Sequence, residues 1–245
     1  MTNNVKSLLL ISSGVLALAL SGCQSTSQTA NSADIVDKAL MQAADQATAG
    51  GITAENLKLL ENIYKRNPKD PQGAIRFARG LRDINETTKA SMILEPFVKD
   101  PNAPEALKLE YAAIQLEAGR YEIAERTARD VIKQNADSGF AYHLLGTALD
   151  AQGLHQSSEE AFRQALDHWI GDPVPVMNNL ALSLTAQEKL EEAHDLLVRA
   201  KEMDPSRLEI ERNLRIVNAL RETVAYKPSH GRNDPSLPVD ITTNH

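Results

Sequence analysis

The sequence has little of what most recognisable sites are made from. Its single cysteine, Cys23, cannot close an internal disulfide, and the polar stretch after it offers no partners for a metal or catalytic role. Aromatic residues make up only 4% of the chain, too few for the base-stacking platforms of nucleic-acid binders. Its formal charge of −7 would be repelled by a phosphate backbone, so no nucleic-acid partner is expected. The histidines at 143, 155, 168, 194, 230 and 245 show no HExxH or Cys/His spacing. No GxGxxG, GxxxxGK[ST] or GxSxG motif occurs. The expectation is therefore a chain that is not an enzyme, with no metal, no cofactor and no small-molecule substrate. The acidic pairs Glu159–Glu160 and Glu191–Glu192 read as wet surface, and His194, set among acids, reads as solvated.

Long apolar runs are scarce too. Leu8 to Leu20 is a 13-residue apolar run behind one basic residue, Lys6. A spanning helix needs about 20 apolar residues, so this run suits the core of a signal peptide. It ends in Leu20-Ser21-Gly22-Cys23, which resembles the bacterial lipobox, in which small residues precede a cysteine that is lipidated and becomes the new N-terminus. The alternative is a free cysteine beside an apolar segment. On the lipobox reading, residues 1–22 are a signal peptide and 23–33 are the lipidated Cys23 with a flexible tether. Gln24 stands where aspartate would retain a lipoprotein at the inner membrane, which implies anchoring on the periplasmic face of the outer membrane. Two or more acyl chains make such an anchor stable.

The rest of the chain is built from copies of one unit. Val174 to Arg207 reads VPVMNNLALSLTAQEKLEEAHDLLVRAKEMDPSR. Numbered from 1, it has Leu180 at position 7, Ala181 at 8, Leu184 at 11, Ala193 at 20, Leu197 at 24, Ala200 at 27 and Pro205 at 32. This is the tetratricopeptide (TPR) pattern, a helix–turn–helix of 34 residues. Small residues at 8, 20 and 27 allow helices A and B to approach closely, and large ones at 7, 11 and 24 fill the space between units. One repeat apart, position 8 is occupied by Ala44, Ala78, Ala112 and Gly146, all small. Position 15, in the turn, reads Gly51, Asn85, Gly119, Gly153 and Glu188. Five units follow: 37–70, a degenerate first copy, then 71–104, 105–138, 139–173 and 174–207. An ordinary helical bundle gives no reason for a small residue to recur at this interval.

The expected fold is all-α: a TPR solenoid over 34–222, a right-handed superhelix of about five repeats with a C-terminal capping helix. In LEIERNLRIVNALRET that helix is expected to cover unit five with Leu208, Ile210, Leu214, Val217 and Leu220. Residues 223–245 form an expected disordered tail. Such a solenoid binds peptides or helices in its groove. The candidate groove residues are Arg76, Arg79, Leu109, Phe140, His143, Asn178, Asn179, Arg212 and Asn213. Asn179 and Asn213 share position 6, and either offer amides to a peptide or hydrogen-bond within the solenoid. Arg76, Arg79 and Arg82 share one side of a helix and either receive an acidic segment or pair with nearby acids.

A lipobox, five TPR units and the module PVPVMNNLALSLTAQEKLEEA followed by IERNLRIVNALRE resemble the TadD family, lipoproteins of the Flp/Tad pilus assembly machinery. The resemblance implies an outer-membrane-anchored periplasmic scaffold that helps assemble or localise the pilus machinery by protein–protein binding, with the secretin as partner. A TPR pilotin or envelope-assembly lipoprotein of another system, such as type IV pili or outer-membrane protein insertion, is the alternative. Replacing Cys23 by Ala is expected to leave the chain soluble in the periplasm or uncleaved; unchanged outer-membrane fractionation would rule out the lipid anchor.

Overall fold

The computed structural model describes residues 51–225 together with the isolated residues Ala39 and Gln42. The expected signal peptide, tether, first helix of unit one and most of the tail lie outside the described residues. Ten helices follow one another in residues 51–225: α1 (Ala54–Arg66), α2 (Pro71–Asp83), α3 (Thr87–Val98), α4 (Glu105–Glu117), α5 (Tyr121–Gln134), α6 (Gly139–Ala151), α7 (His155–Asp167), α8 (Val174–Ala186), α9 (Leu190–Met203) and α10 (Leu208–Ala225). No strand occurs among the described residues. None of the described helices is long and apolar enough to cross a membrane.

The helices begin where the 34-residue frame puts them. Helices α2, α4, α6 and α8 are the A helices of units two to five, and α1, α3, α5, α7 and α9 are the B helices of units one to five. Each A helix ends in the same turn. Asn85, Gly119, Gly153 and Glu188 all have positive φ, between 60° and 77°. The next amide then reaches back to the last turn: Glu86 to Leu81 at 2.8 Å, Arg120 to Gln115 at 2.8 Å, Leu154 to Leu149 at 3.0 Å and Lys189 to Leu184 at 2.9 Å. This is the six-to-one bond of a Schellman stop. It explains why glycine recurs here, and it places Glu188 in a backbone region that side chains disfavour. Some starts are capped as well: Thr53 accepts from the Asn56 amide, Asp70 from Gln72 and Gly73, and Ser138 from Ala141.

Burial follows the repeat. Ala78, Ala112 and Ala181 at position 8 and Ala90, Ala124, Ser158 and Ala193 at position 20 have no exposed surface. In unit four the close approach is tightest. Ser158 Oγ donates to the Gly146 carbonyl at 2.9 Å, and a Cβ added at Gly146 would lie 2.7 Å from the Phe162 ring. Phe162 is the largest side chain at position 24, and Gly146 is the smallest residue at position 8. The two sizes compensate.

Helix α10 continues the stack in the place of a sixth helix A. It buries Ile210, Asn213 and Val217, with Leu214 packed beside them. Leu208 and Leu220, expected to lie in that seam, do not: they are 76% and 41% exposed. The stripe at 210, 213, 214 and 217 has the i, i+3, i+4, i+7 spacing of one helix face. Leu208 sits off that stripe in the first turn, and Leu220 lies at its edge, beyond Val217, the last buried residue of the helix. Glu159 also departs from its expected place on wet surface. It is 9% exposed and accepts from Arg163 at 2.9 Å, Gln187 at 3.0 Å and Lys189 at 2.6 Å. The following unit encloses it, which the local acidic run did not reveal.

Gly146→Ala is expected to cost about 1–3 kcal/mol by overpacking against Phe162. Adding Phe162→Leu recreates the alanine–leucine pairing of Ala78 with Leu94 and Ala181 with Leu197, and should recover part of that loss in urea denaturation. If the single variant is as stable as the parent, the size compensation is wrong.

Candidate partner-binding face

The candidate residues divide into three sets. The first is the arginine row on α2. Arg79 Nε donates to Glu110 at 3.1 Å, Arg82 Nε stands 2.8 Å from Glu110 Oε1, and Arg82 Nη1 donates to Glu117 at 3.0 Å. Both acids belong to α4, one repeat on. Glu110 is only 5% exposed, so removing the arginines would strand a buried carboxylate. Arg76 Nη1 reaches the Gln72 carbonyl at 3.5 Å. The row thus uses much of its charge to join unit two to unit three.

The second set forms one chain of side-chain contacts across three A-type helices. Asn213 on α10 donates to Asn178 Oδ1 at 2.7 Å, Asn178 donates to Asn179 Oδ1 at 3.3 Å, and Asn179 Nδ2 lies 2.9 Å from His143 Nε2 on α6. Asn213 is 4% exposed, so its amide is turned into the joint between repeats. His143 is enclosed by aromatic rings. Its ring centroid is 5.4 Å from that of Trp169, 5.8 Å from Phe162 and 6.2 Å from Phe140. Phe140 in turn stacks on Trp169 at 5.9 Å and remains 46% exposed. Burial lowers the His143 pKa from 6.5 to about 4, which keeps the imidazole neutral. With Nε2 accepting from Asn179, the proton belongs on Nδ1, which is buried with no hydrogen-bond partner.

The third set is the uncovered surface. By repeat register, position 9 of the A-type helices reads Arg79, Ala113, Thr147, Leu182 and Ile216. Leu109, Ala113 and Leu116 on α4 are partly buried against the core. At the C-terminal end of this row Leu182 on α8 is 39% exposed, and Ile216, Leu220 and Val224 on α10 are 49%, 41% and 55% exposed. Ala186 and Ala219 beside them are exposed as well. Arg212, one turn before Ile216, is exposed and, among the described residues, has no acidic partner. The sequence singled out Arg212 but not Leu182, Ile216, Leu220 or Val224 as surface. Ile216, Leu220 and Val224 follow one another at i, i+4 spacing, from the flank of the buried stripe to beyond its last buried residue.

Glu159 illustrates the electrostatics of the joints. Burial alone would raise its carboxyl, but hydrogen bonds from Lys189, Arg163 and Gln187 outweigh that and hold it below the usual carboxylate range. Glu125, bonded to Gln152 at 2.9 Å and Arg129 at 2.8 Å, repeats the arrangement one unit earlier. Among the described residues no group of three or more His, Cys, Asp and Glu converges on a metal-sized site.

No family model matches the chain, and no curated protein matches it. Solved structures do. A thermophilic TPR protein of Thermus thermophilus is 18% identical with a TM-score of 0.64, over 75% of this chain and 99% of that one. MamA 41-end from Desulfovibrio magneticus RS-1 is 20% identical with a TM-score of 0.57, over 70% and 96%. The Cut9–Hcn1 hetero-tetramer of the APC/C matches at 12% identity and a TM-score of 0.66, over 76% of this chain and 37% of the matched chain. At these identities the likeness concerns the fold. The chain is an all-α TPR solenoid.

Because native His143 stays neutral while the unfolded chain takes up a proton below about 6.5, stability should fall as pH drops from 6.5 towards 4. The shift corresponds to about 3 kcal/mol. His143→Gln should flatten this part of the stability curve; urea midpoints at pH 7 and 4.5 that fall equally in both proteins would contradict it.

Proposed function

We propose that this chain is a lipid-anchored TPR scaffold of the bacterial envelope, which holds a component of the Flp/Tad pilus machinery, the secretin being the expected one. The lipobox at Leu20–Cys23 supports the anchor, and the NNLALSL and RNLRIV helices support the pilus assignment. The observation that carries a binding role is the uncovered face of α8 and α10. Leu182, Ile216, Leu220 and Val224 are exposed apolar side chains on two neighbouring A-type helices, and grouped apolar patches of this kind mark interaction surfaces.

On this reading the lipid fixes one end of the molecule and the far end of the stack grips the partner. The inner residues at the N-terminal end are already engaged with one another. Those at the C-terminal end offer an apolar seat with the Arg212 guanidinium beside it. A partner helix carrying an apolar stripe and an acid near one end fits this surface.

A photo-crosslinking residue placed at Leu182 or Ile216 in intact envelopes is expected to trap the secretin, whereas one at exposed Arg199 on α9 is not. Ile216→Asp should abolish the adduct with helicity unchanged. Equal adducts at Arg199 would overturn the choice of face, and a trapped protein from another assembly would overturn the pilus assignment.

A further inference from the structure

Three charged side chains are buried among the described residues: Glu110, Glu159 and Lys108. Glu110 lies between Arg79 and Arg82, and Glu159 between Arg163 and Lys189. Lys108, in the first turn of α4, is different. It is 5% exposed, yet its ammonium meets only neutral acceptors, the Pro101 carbonyl at 2.7 Å and Gln134 Oε1 at 3.1 Å. Burying a cation without a counter-charge is costly. An ammonium also has three donors, and these two bonds leave one of them.

That side chain borders a cavity of about 400 Å³, enclosed by the end of α3, the start of α4 and the second half of α5. Lys99 and Lys133 stand in the same wall, with Asp130, Thr127 and Gln134. Each of the outer lysines is held only by an acid on its own or the adjoining helical turn, Lys99 by Glu95 at 3.1 Å and Lys133 by Asp130 at 2.9 Å. Their side chains are 72% and 74% exposed, so these pairs are weak and easily rearranged. Three lysines against Asp130 and Glu95 leave one net positive charge around the cavity, on a chain whose own balance is −7.

We propose that this cavity is a binding site for a phosphate group, with Lys108 as the inner donor and Lys99 and Lys133 closing over it. A net positive wall suits an anion, and phosphate offers several acceptor oxygens to the lysine donors. Lysine serves phosphate as a point charge with three freely placed donors, which suits a ligand entering from the open side. The phosphate is either free, as inorganic phosphate or a small ester, or part of a lipid head group. The site lies on α3, α4 and α5, remote in sequence from Leu182 and Ile216, and does not depend on the partner-binding reading.

The full chain carrying Cys23→Ala, which removes any contribution from a lipid, would be titrated calorimetrically with inorganic phosphate at fixed ionic strength, with chloride as control. Saturable binding is expected for phosphate and not for chloride. Lys99→Gln with Lys133→Gln, both on exposed side chains, should weaken it about tenfold while the melting temperature of the free protein holds. Lys108→Met should abolish it, and if that variant fails to fold, the double variant still decides. Co-sedimentation with phosphatidylcholine vesicles containing phosphatidic acid, lost in the double variant, would assign the phosphate to a lipid head group. Phosphate binding without vesicle binding would assign a free ligand. Binding of neither probe, or binding equal in parent and double variant, would overturn the proposal.

Discussion

At the crossing of the two helices in each hairpin from unit two to unit five there is room for a small residue at most. Ala78, Ala112, Gly146 and Ala181 occupy one side of these crossings and Ala90, Ala124, Ser158 and Ala193 the other. Leu94, Phe162 and Leu197 lie against these small residues and reach into the core shared along the stack, where each is at most 1% exposed. No single unit can bury those residues, and the solenoid is the result. The left-handed turn after each A helix serves the same end, since it reverses the chain tightly enough for helix B to lie back against helix A.

This framework was legible in the sequence because it is periodic. The 34-residue recurrence of small residues placed the described starts of α2, α4, α6 and α8, and the glycines at position 15 marked turns that do have positive φ. What was not legible is the polar wiring. Arg79 meets Glu110, Asn179 meets His143 and Lys189 meets Glu159 across 31, 36 and 30 residues. Those partners are neighbours only once one unit has been laid upon the next, and only the Arg and Gln around Glu125 and Glu159 recur from unit to unit. Glu159 looked like surface because its own helix gives it no cover. Leu208 and Leu220 looked like core because an apolar residue near a helix end does not reveal which side of that helix will have a neighbour.

The candidate site was legible in the same partial way. His143, Asn178, Asn179 and Asn213 are brought into one connected set, spanning α6, α8 and α10, while Arg76 and Arg79 sit at the other end of the stack. Along position 9 the character changes from the guanidinium of Arg79 through Ala113 and Thr147 to Leu182 and Ile216. The inner row is therefore graded, charged and internally compensated at one end, apolar and open at the other. A gradient of this kind gives a bound segment a direction.

The outer flank of α10 carries Glu211 and Arg215, which pair at 3.9 Å with side chains 45% and 74% exposed. Where a further helix B would press on α10, the helix presents ions instead of the small residues found at the other crossings. An extra hairpin inserted between Arg207 and Leu208 would meet familiar surfaces on both sides, whereas one appended after α10 would meet salt water. With each such insertion the open apolar end would move outward together with α10.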